Sequence, residues 1–114
     1  MNFNEAQEIC REAGQNLVSI ESEEEQQRIV SYLVSNGFGG KHYWTSGNDQ
    51  TTENSFVWLS TGRKMYYTNW TPEPDLGQSQ ANDCVQIAGD AAWNYKWMVS
   101  PCSTELVFIC EVTK

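Results

Sequence analysis

The sequence has few positive charges and no long apolar segment, and each shortage excludes a class of partner. Seven Lys and Arg residues stand against fifteen Asp and Glu residues, which gives a formal net charge of −8. Such a surface repels the phosphate backbone of nucleic acids and anionic lipid headgroups, so neither is expected as a partner. No stretch approaches the ~20 apolar residues that a membrane-spanning helix needs. We therefore expect no membrane insertion.

Catalytic motifs are missing as well. His42 is the one histidine, and the sequence contains no nucleophile motif and no glycine-rich phosphate loop. Glu73 and Asp75 lie two residues apart around Pro74. This spacing favours a shared cation over a pair of carboxylates that flank a glycosidic bond. The sequence therefore predicts a binding protein and not an enzyme.

The length predicts a single domain over residues 1–114 with one hydrophobic core. Hydrophobic residues make up 39% of the chain, with five Trp, five Tyr and four Phe, so the chain is not disordered. Met1 leads directly into a polar helical pattern instead of a signal peptide. This beginning predicts a mature fragment or an excised domain.

The chain has four cysteines, at positions 10, 84, 102 and 110. Zinc sites use Cys pairs separated by two to four residues, and these cysteines are much farther apart, so a zinc site is not expected. An even number of cysteines in a small domain indicates two disulfides and a secreted or extracellular setting. Their number alone leaves three connectivities open.

Apolar periodicity predicts two helices followed by short strands, which is an α+β fold. We expect the first helix to begin at Asn2 or Asn4 and to end at Ala13 before Gly14. A capping box of Ser22 and Glu25 predicts the start of the second helix, which ends at residues 36–37. The buried stripe of that helix is predicted to contain Ile29, Val30, Leu33 and Val34. A short strand or an extended link is predicted over residues 17–20. Further strands are predicted over residues 43–45, 56–59, 84–87, 95–98 and 106–111.

A long irregular segment, residues 69–82, contains the stretch WTPEPDLG. A loop of ~14 residues without secondary structure is uncommon in a compact domain and is usually functional. Glu73 and Asp75 supply carboxylate oxygens, which are the ligands that Ca²⁺ prefers. This segment is therefore the candidate binding loop.

The order of elements and cysteines resembles the C-type lectin-like domain. The resemblance covers almost the whole chain and rests on GQNLVSIESEEE, YWTSGND, FVWLSTGRKMYYTNW, the Glu-Pro-Asp tripeptide, NDCV, WMVSPC and FICE. It implies a fold of two helices and a small two-part antiparallel sheet with a long loop. It also implies the disulfides Cys10–Cys110 and Cys84–Cys102, and buried positions for Trp44, Trp58, Trp70 and Trp97. It also implies an N-terminal strand that precedes Met1 and pairs with the last strand, and this strand is absent or truncated here.

The resemblance further implies a calcium-dependent sugar site in the long loop. Glu73 and Asp75 would flank a cis bond before Pro74, an acid would precede the third cysteine, and an Asn-Asp pair would follow a tryptophan before the fourth. Here Asn82 takes the place of the acid, and the neighbouring Asp83 is retained. The Glu-Pro-Asp tripeptide combines features of mannose-type and galactose-type sites, so it leaves the sugar class undecided.

Two alignments are open for the Asn-Asp pair. Counting back from Cys102 makes Trp97 the family tryptophan, so that Met98 and Val99 replace Asn and Asp. Neither side chain offers an oxygen, so Ca²⁺ binding is predicted to be millimolar or lost. Counting forward from Cys84 uses Trp93 instead, and Asn94 then remains as an amide ligand. On the second alignment, Trp93 and Tyr95 border the site, where an aromatic ring can stack on a sugar.

The resemblance also implies an accessory calcium site, formed by Asp49, Glu53 and Asp83. Turn residues in a polar loop are an equally simple explanation of these acids. We therefore predict an extracellular recognition domain that binds a glycan or glycoprotein surface, with Ca²⁺ dependence weakened or lost. The alternative is a calcium-independent protein-binding domain, and the sequence does not specify an oligomeric state.

Overall fold

The structure is a computed structural model and describes residues 1–49, 55–71 and 83–112. These ranges contain two helices, α1 (Phe3–Glu12) and α2 (Glu23–Ser35). They also contain eight short strands: β1 (Asn16–Leu17), β2 (His42–Asn48), β3 (Val57–Trp58), β4 (Arg63–Lys64), β5 (Asp83–Ala88), β6 (Lys96–Pro101), β7 (Val107–Phe108) and β8 (Cys110–Glu111). The predicted α+β order is confirmed, and β1 lies between the two helices, where a short strand or an extended link is predicted.

Helix α1 begins after Asn2, which resolves the choice between the two asparagines. The Asn2 side chain accepts a hydrogen bond from the Glu5 N–H at 2.9 Å, and the Glu5 carboxylate accepts one from the Asn2 N–H at 3.0 Å. This reciprocal pair satisfies two backbone donors at the helix start. Phe3, Ala6 and Cys10 are buried on one face of the helix.

Helix α2 differs from the prediction at its start and in its buried stripe. Ser22 accepts a hydrogen bond from the Glu25 N–H at 3.2 Å, but the Glu25 carboxylate accepts from Glu21 at 2.7 Å, so the predicted capping box is only half formed. Val34 is 58% exposed, and the predicted stripe is wrong there. Gln26 is buried instead, because it lies two helical turns before the buried Leu33.

The larger sheet has the order β4-β3-β2-β5-β6, with β7 parallel to β2, and β1 pairs separately with β8. The predicted two-part sheet is therefore confirmed, but it is not antiparallel throughout. The single strand predicted over residues 106–111 divides into β7 and β8, because its first part pairs with β2 and its second part with β1.

The larger sheet separates two buried clusters, because successive side chains of a strand point to opposite faces. Trp44 packs on the α1 side, with its ring edge-to-face against Phe3 at 6.0 Å. Trp97 and Trp58 pack on the α2 side, with their ring centroids 5.4 Å apart. The core positions of these three tryptophans are confirmed, whereas Trp70 is only half-buried.

Both implied disulfides are present. Cys10–Cys110 joins α1 to β8, and Cys84–Cys102 joins β5 to the segment after β6. All four cysteines are therefore paired.

Candidate functional site

The candidate loop is defined by the residues that border it, because Glu73, Pro74, Asp75 and Asn82 lie outside the described residues. On the N-terminal side, the Thr71 N–H donates to the Trp97 carbonyl at 3.0 Å, and the Trp97 N–H donates to the Asn69 carbonyl at 2.8 Å. On the C-terminal side, Asp83 begins β5 and pairs with Pro101 of β6. Both ends of segment 72–82 therefore border strand β6.

The stretch of β6 between these two ends contains Met98 and Val99. Met98 pairs with Gln86, and Val99 pairs with Val85. From Trp97 to Pro101 the strand extends ~13 Å at ~3.3 Å per residue. Met98 and Val99 thus occupy the strand positions that separate the two ends of the loop.

The turn that contains Trp93, Asn94 and Tyr95 lies at the other end of the β5–β6 hairpin. Ala88 lies five residue steps after Asp83 along β5, which corresponds to ~17 Å at ~3.4 Å per residue. The structure therefore does not bring these three residues close to Asp83.

The side chains of this turn differ in exposure. Trp93 is 36% exposed, whereas Tyr95 is 8% exposed and belongs to the core on the α2 side. Asn94 and Tyr95 have positive φ angles of 51° and 67°, in the left-handed region that non-glycine residues rarely adopt. Tyr95 therefore shapes the turn from inside and offers little surface to a ligand.

The structure brings together two members of the proposed accessory calcium site. The Asp49 N–H donates to the Asp83 carbonyl at 3.1 Å, and the Asp83 N–H donates to the Asp49 carboxylate at 3.1 Å. Their side chains are 1% and 2% exposed. Glu53, the third member, lies outside the described residues.

The Asp49–Asp83 pair fits a calcium site in part. The two carboxylates, one directly after β2 and one at the start of β5, are hard oxygen donors of the kind that Ca²⁺ takes. However, one Asp49 oxygen already holds the Asp83 N–H, which is a sufficient structural role. Within residues 1–49, 55–71 and 83–112, no three His, Cys, Asp or Glu side chains are grouped so that they could hold a metal ion.

A buried glutamine on α2 positions the strand that borders the loop. The Gln26 amide donates to the Tyr95 carbonyl at 2.9 Å, and the Trp97 indole N–H donates to the Gln26 oxygen at 3.0 Å. Gln26 therefore fixes both the turn and the first part of β6. The sequence analysis missed this residue, and its only signal was its place on the same helical face as Leu33.

A second group of hydrogen-bonded polar side chains crosses the face of the sheet on the α1 side. The His42 ring contacts the Asp90 carboxylate at 3.0 Å and the Gln86 oxygen at 2.6 Å, and the Gln86 amide donates to the Ser100 hydroxyl at 2.6 Å. The hydrogen bond from His42 lowers the pKa of Asp90. These hydrogen bonds connect the turn to the part of β6 beside the loop.

Comparison with known proteins identifies the class of domain. The model of the lectin C-type domain matches residues 1–112. The chain therefore belongs to the C-type lectin domain family. This is a family of carbohydrate-recognition domains and not of enzymes, as the sequence predicted.

Individual relatives agree with this assignment. C-type lectin mosGCTL-7 of Culex quinquefasciatus is 32% identical over 96% of this chain and 68% of its own length. Salivary C-type lectin 2 of Aedes albopictus is 30% identical over 96% of this chain and 76% of its own length. The solved carbohydrate-recognition domain of the human scavenger receptor C-type lectin has a TM-score of 0.80 and 26% identity, and the match covers 100% of this chain and 84% of that one.

Neither α1 nor α2, nor any other helix in the described part of the chain, is long and apolar enough to cross a membrane.

Proposed function

We propose that this domain recognises glycans through the segment of residues 72–82. One observation carries the proposal: both ends of the segment that holds Glu73 and Asp75 border the same strand, at Trp97 and at Pro101. The chain therefore enters and leaves this segment beside β6, a strand that is paired with β5 over its whole length. In this proposal the carboxylates of Glu73 and Asp75 bind the sugar beside that strand, since fixed polar groups are what a sugar site requires.

We infer that the dependence on Ca²⁺ is weakened or lost. The residues that would hold the ion are Glu73, Asp75, Asn82 and Asp83, and a bound Ca²⁺ would coordinate two hydroxyls of the sugar. Met98 and Val99 lie on β6 between the two ends of the loop, and neither side chain has an oxygen. The ligands that remain are therefore too few for a full calcium sphere of six to eight oxygens. In this proposal, direct hydrogen bonds from the loop supply most of the sugar affinity.

An extracellular setting is part of the proposal. Two disulfides in a domain of this size are typical of oxidising compartments. The salivary relative from Aedes albopictus agrees with secretion.

Glycan-array binding in Ca²⁺ and in chelator tests the proposal. We expect binding in both buffers, with a thermal midpoint that millimolar Ca²⁺ changes little. The double variant Glu73→Gln, Asp75→Asn should lose glycan binding and keep its melting temperature. Glu24→Gln is the matched control, because it removes an exposed carboxylate from α2, outside both the segment and the hairpin, and should retain binding. An array without signal in either buffer would contradict glycan recognition.

A protein ligand is the second candidate, and Met98 and Val99 are the observation that favours it. Apolar side chains beside a binding loop suit an apolar protein contact better than a sugar hydroxyl. Met98→Ser would weaken binding to such a partner and leave glycan binding unaffected. A domain that binds no glycan but captures a glycosidase-treated protein through residues 72–82 would favour this candidate over the first.

A further inference from the structure

The β3–β4 hairpin lies at one edge of the larger sheet. β4 pairs with β3 through two residue pairs, Val57 with Lys64 and Trp58 with Arg63. On its other side, β4 has no neighbouring strand in the described part of the chain. A strand held by so few pairs separates from its sheet at a lower free energy than global unfolding requires, so β4 opens locally.

The chain around β4 is exposed over a long stretch. None of residues 59–70 is buried, and the side chains of Arg63 and Tyr66 are 72% and 86% exposed. Exposed turns of this kind are preferred sites of proteolytic cleavage. Proteases bind several residues on each side of the bond that they cut as an extended strand, and an edge strand is already extended. The hairpin therefore presents a substrate for a protease.

Two adjacent cations define the class of protease. Arg63 and Lys64 form the whole of β4. Arg63 pairs with Glu21 at 3.6 Å, whereas Lys64 is exposed and makes no ion pair with another described residue. Trypsin-like serine proteases have an aspartate in the pocket that receives the side chain before the cut bond, so they select Lys and Arg. Lys64 is therefore the better of the two positions.

Four other cations lie in regular structure or directly beside it. Arg11 and Arg28 lie within the two helices, and Lys96 lies in β6. Lys41 is exposed, but it directly precedes β2, and Trp44 of that strand is fully buried. A protease that bound the residues after Lys41 would have to remove β2 from the middle of the sheet. Cleavage at these four positions therefore requires much more unfolding than the opening of the hairpin.

The disulfides determine what happens to the chain after a cut in the hairpin. A cut after Lys64 separates the first cysteine from the other three. The Cys10–Cys110 disulfide therefore joins the two pieces, whereas Cys84–Cys102 lies within the second piece. In addition, β2 of the first piece pairs with β5 of the second. The cleaved domain is thus held together by a covalent bond and by the centre of its sheet.

We propose that the Arg63-Lys64 pair is a processing site for a trypsin-like serine protease, which cuts after Lys64 and converts the domain into a folded two-chain form. Water is added across the peptide bond, which leaves a carboxylate on Lys64 and an amino group on Met65. The Cys10–Cys110 disulfide holds the two chains together. The hairpin lies outside segment 72–82, so this proposal does not depend on glycan recognition.

Limited digestion of the native 114-residue domain with trypsin, followed by intact mass measurement, tests the proposal. Without a reductant, we expect one species that is heavier than the uncut domain by one water molecule. After reduction, this species should give two pieces, residues 1–64 and 65–114. A first cut at any Lys or Arg outside the pair would overturn the proposal, and so would pieces that separate without a reductant.

Variants of the domain place the cut. Lys64→Gln alone should move the cut to the bond after Arg63, and Arg63→Gln combined with Lys64→Gln should slow the first cleavage roughly tenfold or more, because the remaining sites need larger openings. Lys41→Gln is the matched control, since it removes an exposed cation from another turn and should leave the rate unchanged. A double variant that is cleaved as fast as the parent domain would contradict the proposal.

Urea below the unfolding transition separates local opening of the hairpin from unfolding of the domain. Local opening exposes little surface, so the rate of cleavage after Lys64 should change little with urea, whereas cleavage after Arg28 should accelerate steeply. Cleavage of an unstructured peptide under the same conditions corrects for the effect of urea on trypsin. Parallel acceleration at both positions would mean that the hairpin is cut only after unfolding, which would overturn the proposal.

The stability of the cleaved domain tests the two-chain form. We expect the purified, non-reduced product to keep a cooperative thermal transition and to resist further cleavage at Arg28 and Lys96. The reduced product should lose both properties, because nothing then joins its pieces covalently. A non-reduced product that trypsin degrades at once would contradict the folded two-chain form.

Discussion

The two ends of the β5–β6 hairpin are held by different means. At the turn, hydrogen bonds join the Gly89 N–H to the Lys41 carbonyl at 2.9 Å and the Tyr95 N–H to the Ala88 carbonyl at 2.8 Å. A Cβ at Gly89 would lie 2.2 Å from the Lys41 carbonyl oxygen, so only glycine fits. At the other end, the hairpin is fixed by the Cys84–Cys102 disulfide and borders the C-terminal end of segment 72–82 at Asp83.

This difference assigns separate roles to the two ends. The turn is held by backbone contacts and by buried side chains from α2, so no ligand is needed to form it. The loop end has a covalent crosslink and the carboxylates Asp49 and Asp83, so its stability can respond to a ligand. A substitution at either end should therefore increase hydrogen exchange at that end first. The expected loss of stability is largest for the disulfide and smallest for the Asp90 carboxyl.

The largest loss is expected for Cys84→Ala combined with Cys102→Ala. The disulfide closes a loop of sequence separation 18, and a crosslink over a loop of this size stabilises a fold by ~3 kcal/mol through the unfolded chain. Chemical denaturation of the double variant measures the free energy of unfolding. Hydrogen exchange should increase first at Ser100, at the loop end. An increase that begins at Tyr95 would contradict the separation of the two ends.

Gln26→Ala should destabilise the turn end by ~2–3 kcal/mol, because it leaves the Tyr95 carbonyl and the Trp97 indole N–H buried without their partner. Exchange should increase at Tyr95 before Ser100, the reverse of the cysteine variant. Gln27→Ala is the matched control, since Gln27 is an exposed neighbour on the same helix. Equal losses from both substitutions would contradict the role of the buried hydrogen bonds, because Ala has a higher helix propensity than Gln and the change at Gln27 should cost nothing.

The third prediction concerns only the loop end. Met98→Asn with Val99→Asp adds two oxygen ligands beside the loop and should make the melting temperature depend on Ca²⁺. Calcium at one hundred times its dissociation constant would add ~2.7 kcal/mol to the free energy of unfolding. The control Met98→Leu with Val99→Ile adds no oxygen and should not respond. A double variant that is equally indifferent to Ca²⁺ would show that the loop cannot complete the site.

Apolar periodicity predicted the helices, because it is a local pattern, whereas the family resemblance implied the disulfides and the buried positions of Trp44, Trp58 and Trp97. It did not predict that Gln26 would be buried, since a glutamine on a helix is usually exposed and only its long-range partners explain it. The alignment of Trp93 and Asn94 with the loop also depended on distance in space. The length of β5 separates Trp93 and Asn94 from Asp83. That distance follows only from the register of β5 against β6, which no sequence pattern indicates.

The smallest effect is expected at the turn, where the hydrogen bond from His42 lowers the pKa of Asp90. A carboxyl whose pKa is lower in the folded state adds stability above its unfolded pKa of ~3.9 and loses it as the pH falls through the folded value. The free energy of unfolding should therefore decrease slightly as the pH falls below about 4, where this carboxyl begins to take up a proton in the unfolded chain. Asp90→Asn should remove this part of the pH dependence, and Glu24→Gln, an exposed acid on α2, should not. Hydrogen bonds continue from His42 through Gln86 to Ser100. Amide hydrogen exchange at Ser100 in the Asp90 variant therefore also measures how far the turn influences the loop end. No change at Ser100 would mean that the two ends of the hairpin are independent.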